Sequence, residues 1–271
     1  MRTAAGNRSA REDGLSEIVL STLDDGVLTL ALNRPERLNA LSTGLLADLT
    51  RKLDEGVRAG ARAVLITGTG RAFCSGADLA DSEGIGADLG ETLATYYHPL
   101  FLRLAGLDIP VVSAINGPAV GAGVALALAA DIVVMARSAY LQLGFVNIGL
   151  VPDAGATWLV AKSAGRAKAL ELALLGEPMS AREAQDAGLV ARVTDDERLG
   201  ETARGLGLKL AQGPTRAIGM IRKQVAAALN HSLSETMGIE AANQAAAGHS
   251  ADFQEGVAAF LEKRVPRFQG D

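Results

Sequence analysis

The sequence predicts an α/β core followed by a purely helical segment, and three observations carry that expectation. Short β-branched or leucine-rich runs alternate with helix-length runs as far as about Val193, the pattern of βαβ-like units. From Leu199 onward only helical periodicity remains. Two glycine-rich segments, RAFCSGADL at 71–79 and NGPAVGAGVALALAAD at 116–131, each follow a strand-like run and lead toward a helix-like one.

The elements follow in order. Residues 18–23 and 27–32 are β-branched or alternating runs around Asp24-Asp25-Gly26, a hairpin signal. Residues 33–39 are a polar, proline-containing connector, and 43–59 place leucines at 45, 46, 49 and 53 on one helix face. Residues 63–67 (AVLIT) read as a buried strand closed by a Gly-Thr-Gly turn. Residues 78–90 are polar and glycine-rich, expected as a mobile loop, with Asp78 a candidate helix start. Residues 91–106 form an amphipathic helix expected to break near Pro99. Strands follow at 110–115 and 132–136, separated by a small-residue helix at 121–130. Helices are expected at 154–163 and 166–175, and Ser180 caps another reaching Ala187. The tail adds helices at 199–212, 214–228, 233–247 and 251–261. The expected division is a disordered leader at 1–14, an α/β core at 15–198 and a helical assembly domain at 199–271.

Composition excludes several classes. The 271 residues are 48% hydrophobic and 21% charged, an ordinary globular balance. A net charge of −5 gives no basic field for nucleic acid. The single cysteine, Cys74, excludes an internal disulfide and a metal cluster of its own, and fits a reducing, cytoplasmic setting. Residues 1–14 carry charge without the apolar run of a signal peptide. The uncharged stretch 109–130 has membrane-span length, but Pro110, Asn116, Gly117, Pro118, Gly121 and Gly123 interrupt it, so strand, tight turn and buried helix explain it better.

Chemistry enters with the glycine-rich segments. Small residues leave backbone N–H groups uncovered, and two such groups aimed at one point stabilise a developing oxyanion. The Ala77 N–H is expected to point out of the first turn. The Ala122 N–H opens the second helix, where the dipole adds partial positive charge. Each segment alone is equally served by a plainer reading, in which the glycines merely permit tight strand-to-helix turns. A third segment, IGLVPDAGATWL at 148–159, supplies one acid, Asp153, which is a candidate base or simply the N-cap of the following helix.

The chain resembles the crotonase superfamily, the enoyl-CoA hydratase/isomerase family. The resemblance rests on LNRPERLNALS (32–42), VLITGTGRAFCSGADL (64–79), IPVVSAINGPAVGAGVALALAADIVVMA (109–136), IGLVPDAGATWLV (148–160), LALLGEPMSAREAQDAGLVARV (172–193) and EGVAAFLEKRVPRF (255–268), in the family's order. It implies a spiral of ββα units with a C-terminal helical trimerisation domain, and a homotrimer or hexamer. It implies an acyl-CoA thioester as substrate, with no cofactor beyond the coenzyme A that the substrate carries. The family's two oxyanion amides fall at Ala77 and Ala122. Arg37, Leu38 and Ala40 match the segment lining the CoA nucleotide. Ser75, Asp78 and Leu79 flank the pantetheine and thioester, and Gly121 belongs to the second oxyanion turn. Phe260 and Lys263 match a C-terminal helix that reaches the CoA of a neighbouring subunit.

One departure decides the expected chemistry. Family hydratases use two glutamates; here the matching positions are Ala125 and Asn147, neither of which moves a proton. Asp153 remains, resembling the acid of family isomerases, and Val151, Pro152, Ala154 and Trp158 are expected to give it an apolar surround that raises its pKa. The expected activity is double-bond migration in an enoyl-CoA, or isomerisation of a ring-type acyl-CoA. Hydration, nucleophilic use of Asp153 on an aryl-CoA, and CoA-ester binding without turnover are the competing readings. Asp131 is expected to be structural. His98, Tyr96 and Tyr97 are expected on the surface or in packing, with the acyl pocket as the alternative; Cys74 is expected to be inert; Asp81, Glu83 and Asp88 are expected to be solvated, with one of them folding over the substrate as the alternative. His231 and His249 lie in the helical tail and are not expected to be ligands.

Overall fold

The computed structural model describes residues 17–81 and 88–271; the expected leader at 1–14 and Glu83 lie outside them. A six-stranded sheet runs β1 (Val19–Asp24), β2 (Val27–Leu32), β3 (Ala63–Gly68), β4 (Val111–Ile115), β6 (Ile132–Ala136) and β9 (Arg192–Thr194). Only β1 is antiparallel to its neighbour; the others pair in parallel. The hairpin turn has positive φ at both Asp25 and Gly26, the twist-matched geometry that an Asp-Gly pair favours. Parallel neighbours demand crossovers, and the alternating sequence pattern supplies them. Helix α1 (Thr43–Arg58) is N-capped by Ser42, whose hydroxyl accepts the Leu45 N–H at 3.2 Å. Its Leu45, Leu46, Leu49 and Leu53 are all buried in the core, at roughly 1.5–3 kcal/mol of stabilisation each.

A second sheet, β5 (Ala119–Val120), β7 (Tyr140–Gln142) and β8 (Met179–Ser180), escaped the sequence reading, as did β9. Strands of two or three residues are too short to show a period. Helix α4 (Ala122–Leu128) is buried throughout, as its small residues predict.

Three helical expectations need correction. No helix starts at Asp78: its Oδ1 accepts the Ala80 N–H at 3.1 Å and its carbonyl accepts the Asp81 N–H at 3.0 Å, closing a turn instead. The loop expected over 78–90 lies partly outside the described residues. The break expected at Pro99 precedes it. After α2 (Leu89–Thr92), residues Leu93–Tyr97 form a π-helical turn, and α3 (His98–Ala105) accommodates Pro99 in its first turn. Finally, α5 (Ala156–Leu175) starts two residues later than expected because Ala154 and Gly155 are left-handed; the expected division into two helices is there, as a non-helical break at Gly165 (φ 78°, ψ 168°).

Helix α6 (Ala181–Asp186) carries a capping box formed by Ser180 and Glu183. Helix α7 (Leu199–Ala211), expected to open the tail, packs on β2, β3, β4 and β6, and its Leu199, Ala203, Leu206 and Ala211 lie in the main core. The helices beyond it differ. In α9 (Leu233–Gly248) no residue is buried; α8 (Thr215–Ala228) packs against α9, and α10 (Ala251–Glu262) follows. Leu233, Phe260, Leu261 and Val265 are all more than 70% exposed, an unusual density of bare apolar surface. Among the described residues no helix is long and apolar enough to cross a membrane.

Candidate active site

The two glycine-rich segments meet. Cys74 bridges Ala119 in parallel, with the Cys74 N–H on Pro118 O at 3.2 Å and the Val120 N–H on Cys74 O at 2.9 Å. Gly76 adopts φ +92°, and a Cβ there would lie 2.9 Å from Val120 O and 3.6 Å from Ala122 N. The first turn therefore rests directly on the start of α4.

Each turn leaves an N–H uncommitted. The Leu41 N–H donates to Gly76 O at 2.7 Å and the Asp78 N–H donates to Leu41 O at 3.0 Å. These bonds flank Ala77, so its own N–H and C=O face the other side of the chain. Ala122 is the first residue of α4, where the N–H has no intrahelical acceptor. Neither N–H has a hydrogen-bond partner among the described residues. Two unpaired donors on touching turns suit an anionic oxygen.

Asp153 sits ahead of α5. Its main-chain carbonyl accepts the Ala156 N–H at 2.8 Å, so the backbone and not the carboxylate serves the helix start. The carboxylate Oδ1 is buried with no hydrogen-bond partner among the described residues. Burial pushes the Asp153 pKa up to about 6, opposed by the nearby charge of His98 and by a backbone hydrogen bond. Of the expected apolar surround Ala154 is buried, while Val151 is 77% exposed and Trp158 44%.

Tyr97 reaches the first turn. Its buried hydroxyl donates to Leu41 O at 3.3 Å, the same carbonyl that accepts the Asp78 N–H. Burial raises its pKa, and the negative charges of Asp153, Asp81 and Asp78 add to that rise. The π-helical turn sets this register: the His98 N–H reaches back five residues to Leu93 O, leaving Tyr97 buried and His98 exposed. Such turns recur at functional sites. The sequence leaves these residues between packing, surface and the acyl pocket, because a π-turn has no compositional signal.

The remaining expectations fall into three groups. Arg37, Leu38, Ala40 and Ser75 are brought together: the Ser75 N–H donates to Leu38 O at 3.0 Å and its hydroxyl to Arg37 O at 3.4 Å. Leu79 is 60% exposed beside them in sequence. The Asp78 carboxylate is occupied, with Oδ2 on Arg34 at 2.8 Å. Phe260 and Lys263 belong to α10 and its left-handed C-cap; within one chain α10 packs against α9.

Ala125 is fully buried, and the Asn147 amide donates to Gly176 O at 3.2 Å. Cys74 is buried and its thiol is pushed up to about 12 by desolvation, which keeps it a neutral thiol at physiological pH. Asp131 accepts the Val111 N–H at 2.7 Å and pairs with Arg222 at 2.6 Å, a structural tie. Asp81 and Asp88 do more than meet solvent: Asp81 accepts the Thr43 N–H at 2.8 Å, and Asp88 caps α2. Among the described residues no group of three or more His, Cys, Asp or Glu is placed to hold a metal.

The chain is similar to known proteins over nearly its whole length. Residues 22–271 match the family model described as enoyl-CoA hydratase/isomerase. The chain is 45% identical over 261 residues to the 1,2-epoxyphenylacetyl-CoA isomerase of Escherichia coli K12, covering 94% of this chain and all of that protein. It is 42% identical to a probable enoyl-CoA hydratase of Rhodobacter capsulatus, covering 92% and 96%. The crystal structure of an enoyl-CoA hydratase from Bacillus anthracis superposes with a TM-score of 0.89 at 31% identity, over 94% of this chain and all of that one.

Proposed function

The chain belongs to the enoyl-CoA hydratase/isomerase family, and from that premise we propose that it moves a double bond within an enoyl-CoA, with Asp153 carrying the proton. The observation that carries this reading is the half-buried Asp153 carboxylate, with an unpartnered Oδ1 and a pKa raised to about 6, while the family's hydratase positions hold Ala125 and Asn147. One acid suffices for an isomerase. The Asp153 carboxylate removes a proton from C2 of a 3-enoyl thioester. The electrons spread through the dienolate to the thioester oxygen, which the N–H groups of Ala77 and Ala122 hold. The same carboxyl group returns the proton at C4, giving the 2-enoyl thioester. A pKa near 6 suits both halves, since the group accepts and releases a proton close to neutral pH.

In this reading Arg37, Leu38, Ala40 and Ser75 carry the CoA end of the substrate, with Leu79 and Gly121 beside the thioester, and the reaction needs no cofactor. The likeness to an epoxyphenylacetyl-CoA isomerase supports a ring-type acyl group as a second substrate. The likeness to a probable hydratase supports hydration as the competing activity. Assaying purified protein with 3-hexenoyl-CoA and crotonyl-CoA separates them. Double-bond migration is expected to exceed water addition by at least tenfold, and the reverse ratio overturns the isomerase reading.

We also propose that the bare apolar faces of α8–α10 are covered by further copies, as a homotrimer or hexamer, with Phe260 and Lys263 reaching a neighbour's CoA. Light scattering is expected to give three or six times the chain mass; a stable monomer contradicts it.

A further inference from the structure

We propose that Arg34, together with Asp78, is a positioning residue that fixes and electrostatically conditions the Ala77 N–H. This rests on the reading of Ala77 as an oxyanion donor. The peptide in question joins Gly76 to Ala77, and a peptide that follows glycine is the softest link in a turn. Upstream, Gly76 is wedged against Val120 and the start of α4. Something must hold the downstream side as well, and that side is Asp78. Its N–H is on Leu41 O at 3.0 Å, its Oδ1 accepts from the Ala80 N–H at 3.1 Å, and its Oδ2 takes the Arg34 guanidinium at 2.8 Å.

Arg34 is itself held. Its second guanidinium nitrogen donates to Ala40 O at 2.8 Å, and its backbone N–H donates to Asn39 Oδ1 at 2.9 Å. The buried Asn39 amide in turn donates to Thr69 O and Ala72 O, both at 2.9 Å. The Arg34 and Asp78 side chains are only 18% and 10% exposed, so the pair is shielded from solvent screening. A guanidinium is suited to this task because its rigid planar fork fixes the spacing and direction of its donors toward two acceptors at once; a lysine ammonium is a compact point charge that imposes no such geometry.

Charge matters as much as angle. Without Arg34, an unpaired carboxylate would stand one residue from the donor of a developing oxyanion, opposing the charge the donor is meant to stabilise. Arg34 cancels that field while its bonds hold the turn.

The test uses the full-length protein and a chromophoric probe, the 4-dimethylaminocinnamoyl thioester of CoA, whose absorption shifts to the red when its carbonyl is polarised. In wild type a red shift is expected on binding. In Arg34→Gln the shift is expected to shrink by at least half at equal occupancy. Its kcat for 3-enoyl-CoA is expected to fall 10–100-fold while the affinity for free CoA changes less than threefold. Arg34→Lys is expected to fall between the two. Adding Asp78→Asn to Arg34→Gln is expected to recover part of kcat by removing the uncompensated carboxylate. Asp78→Asn alone, nearly isosteric, guards against a folding defect and is expected to lose only a few-fold. A folded Arg34→Gln that keeps the full red shift and kcat within twofold of wild type overturns the positioning role. A double variant no faster than Arg34→Gln overturns the charge role. A wild-type complex with no red shift at saturation overturns the oxyanion reading itself, and this inference with it.

Discussion

Replacing Asp153 with asparagine is expected to lower kcat for double-bond migration by about 10²–10⁴, the range typical of a lost general acid–base group. Substrate affinity is expected to change by less than about threefold, because the amide keeps the shape of the carboxyl group and removes only its ability to carry a proton. The main-chain bond from the Ala156 N–H to Asp153 O does not involve the side chain, so the start of α5 is unaffected by the exchange. Steady-state kinetics of both proteins decide the matter; a variant that retains a tenth or more of wild-type kcat removes Asp153 from the reaction.

The same carboxylate predicts two pH effects. As the base for proton removal it must be ionised, so wild-type kcat/KM is expected to rise with pH through about 6 and level off above. Stability is expected to run the other way. The folded-state pKa is raised from 3.8 to about 6 by burial, so the folded chain holds a proton that the unfolded chain releases between those values. The contribution of this group is therefore full below pH 3.8 and lost as pH rises through 6. Asp153→Asn removes a buried charge and is expected to raise thermal stability at pH 7 relative to wild type, with the gap closing toward pH 4. Gained stability alongside lost activity marks a side chain kept for chemistry.

That tension explains what the sequence disclosed. Periodicity reported elements that bury one face, which is why Leu45, Leu46, Leu49 and Leu53 located α1 and the β-branched runs located the main sheet. It was silent on β5, β7 and β8, whose pairing is imposed from outside by the turns they support. At the site, the two glycine-rich segments were legible as close-approach turns because such contacts need glycine and alanine, and the structure brings them together; the roles proposed for Asp153, Ala77 and Ala122 came from the family resemblance, not from local composition. Tyr97 and Arg34 were not legible. Their place beside the first turn is a matter of which carbonyl each reaches, Leu41 for one and Ala40 for the other, and such pairings across the fold leave no mark in local composition. The helix start expected at Asp78 failed locally: its Oδ1 and its carbonyl accept the Ala80 and Asp81 N–H groups and close a turn instead.

Gly123→Ala is expected to damage both the fold and the site. A Cβ at Gly123 would lie 2.3 Å from Cys74 O and 3.0 Å from both Cys74 C and Cβ, well inside contact distance. Two of those three atoms are backbone, so no rotamer change relieves the clash. Cys74 is held by the Val120 N–H on its carbonyl and by its own N–H on Pro118 O, so it has little room to withdraw. The methyl must pry apart the two turns that bring Ala77 and Ala122 together. A cost of about 1–3 kcal/mol follows from overpacking, with a backbone clash at the upper end. A misplaced oxyanion donor adds a rate loss of about 10²–10³. Gly205→Ala in α7 is the control: nothing lies within 4 Å of a Cβ there, and alanine in a helix interior is expected to stabilise by roughly 0.5–1 kcal/mol. Thermal melts and kcat on both variants give the contrast. If Gly123→Ala matches the control in both, the two segments are not locked by contact at Cys74, and the convergence of the two amides must have another cause.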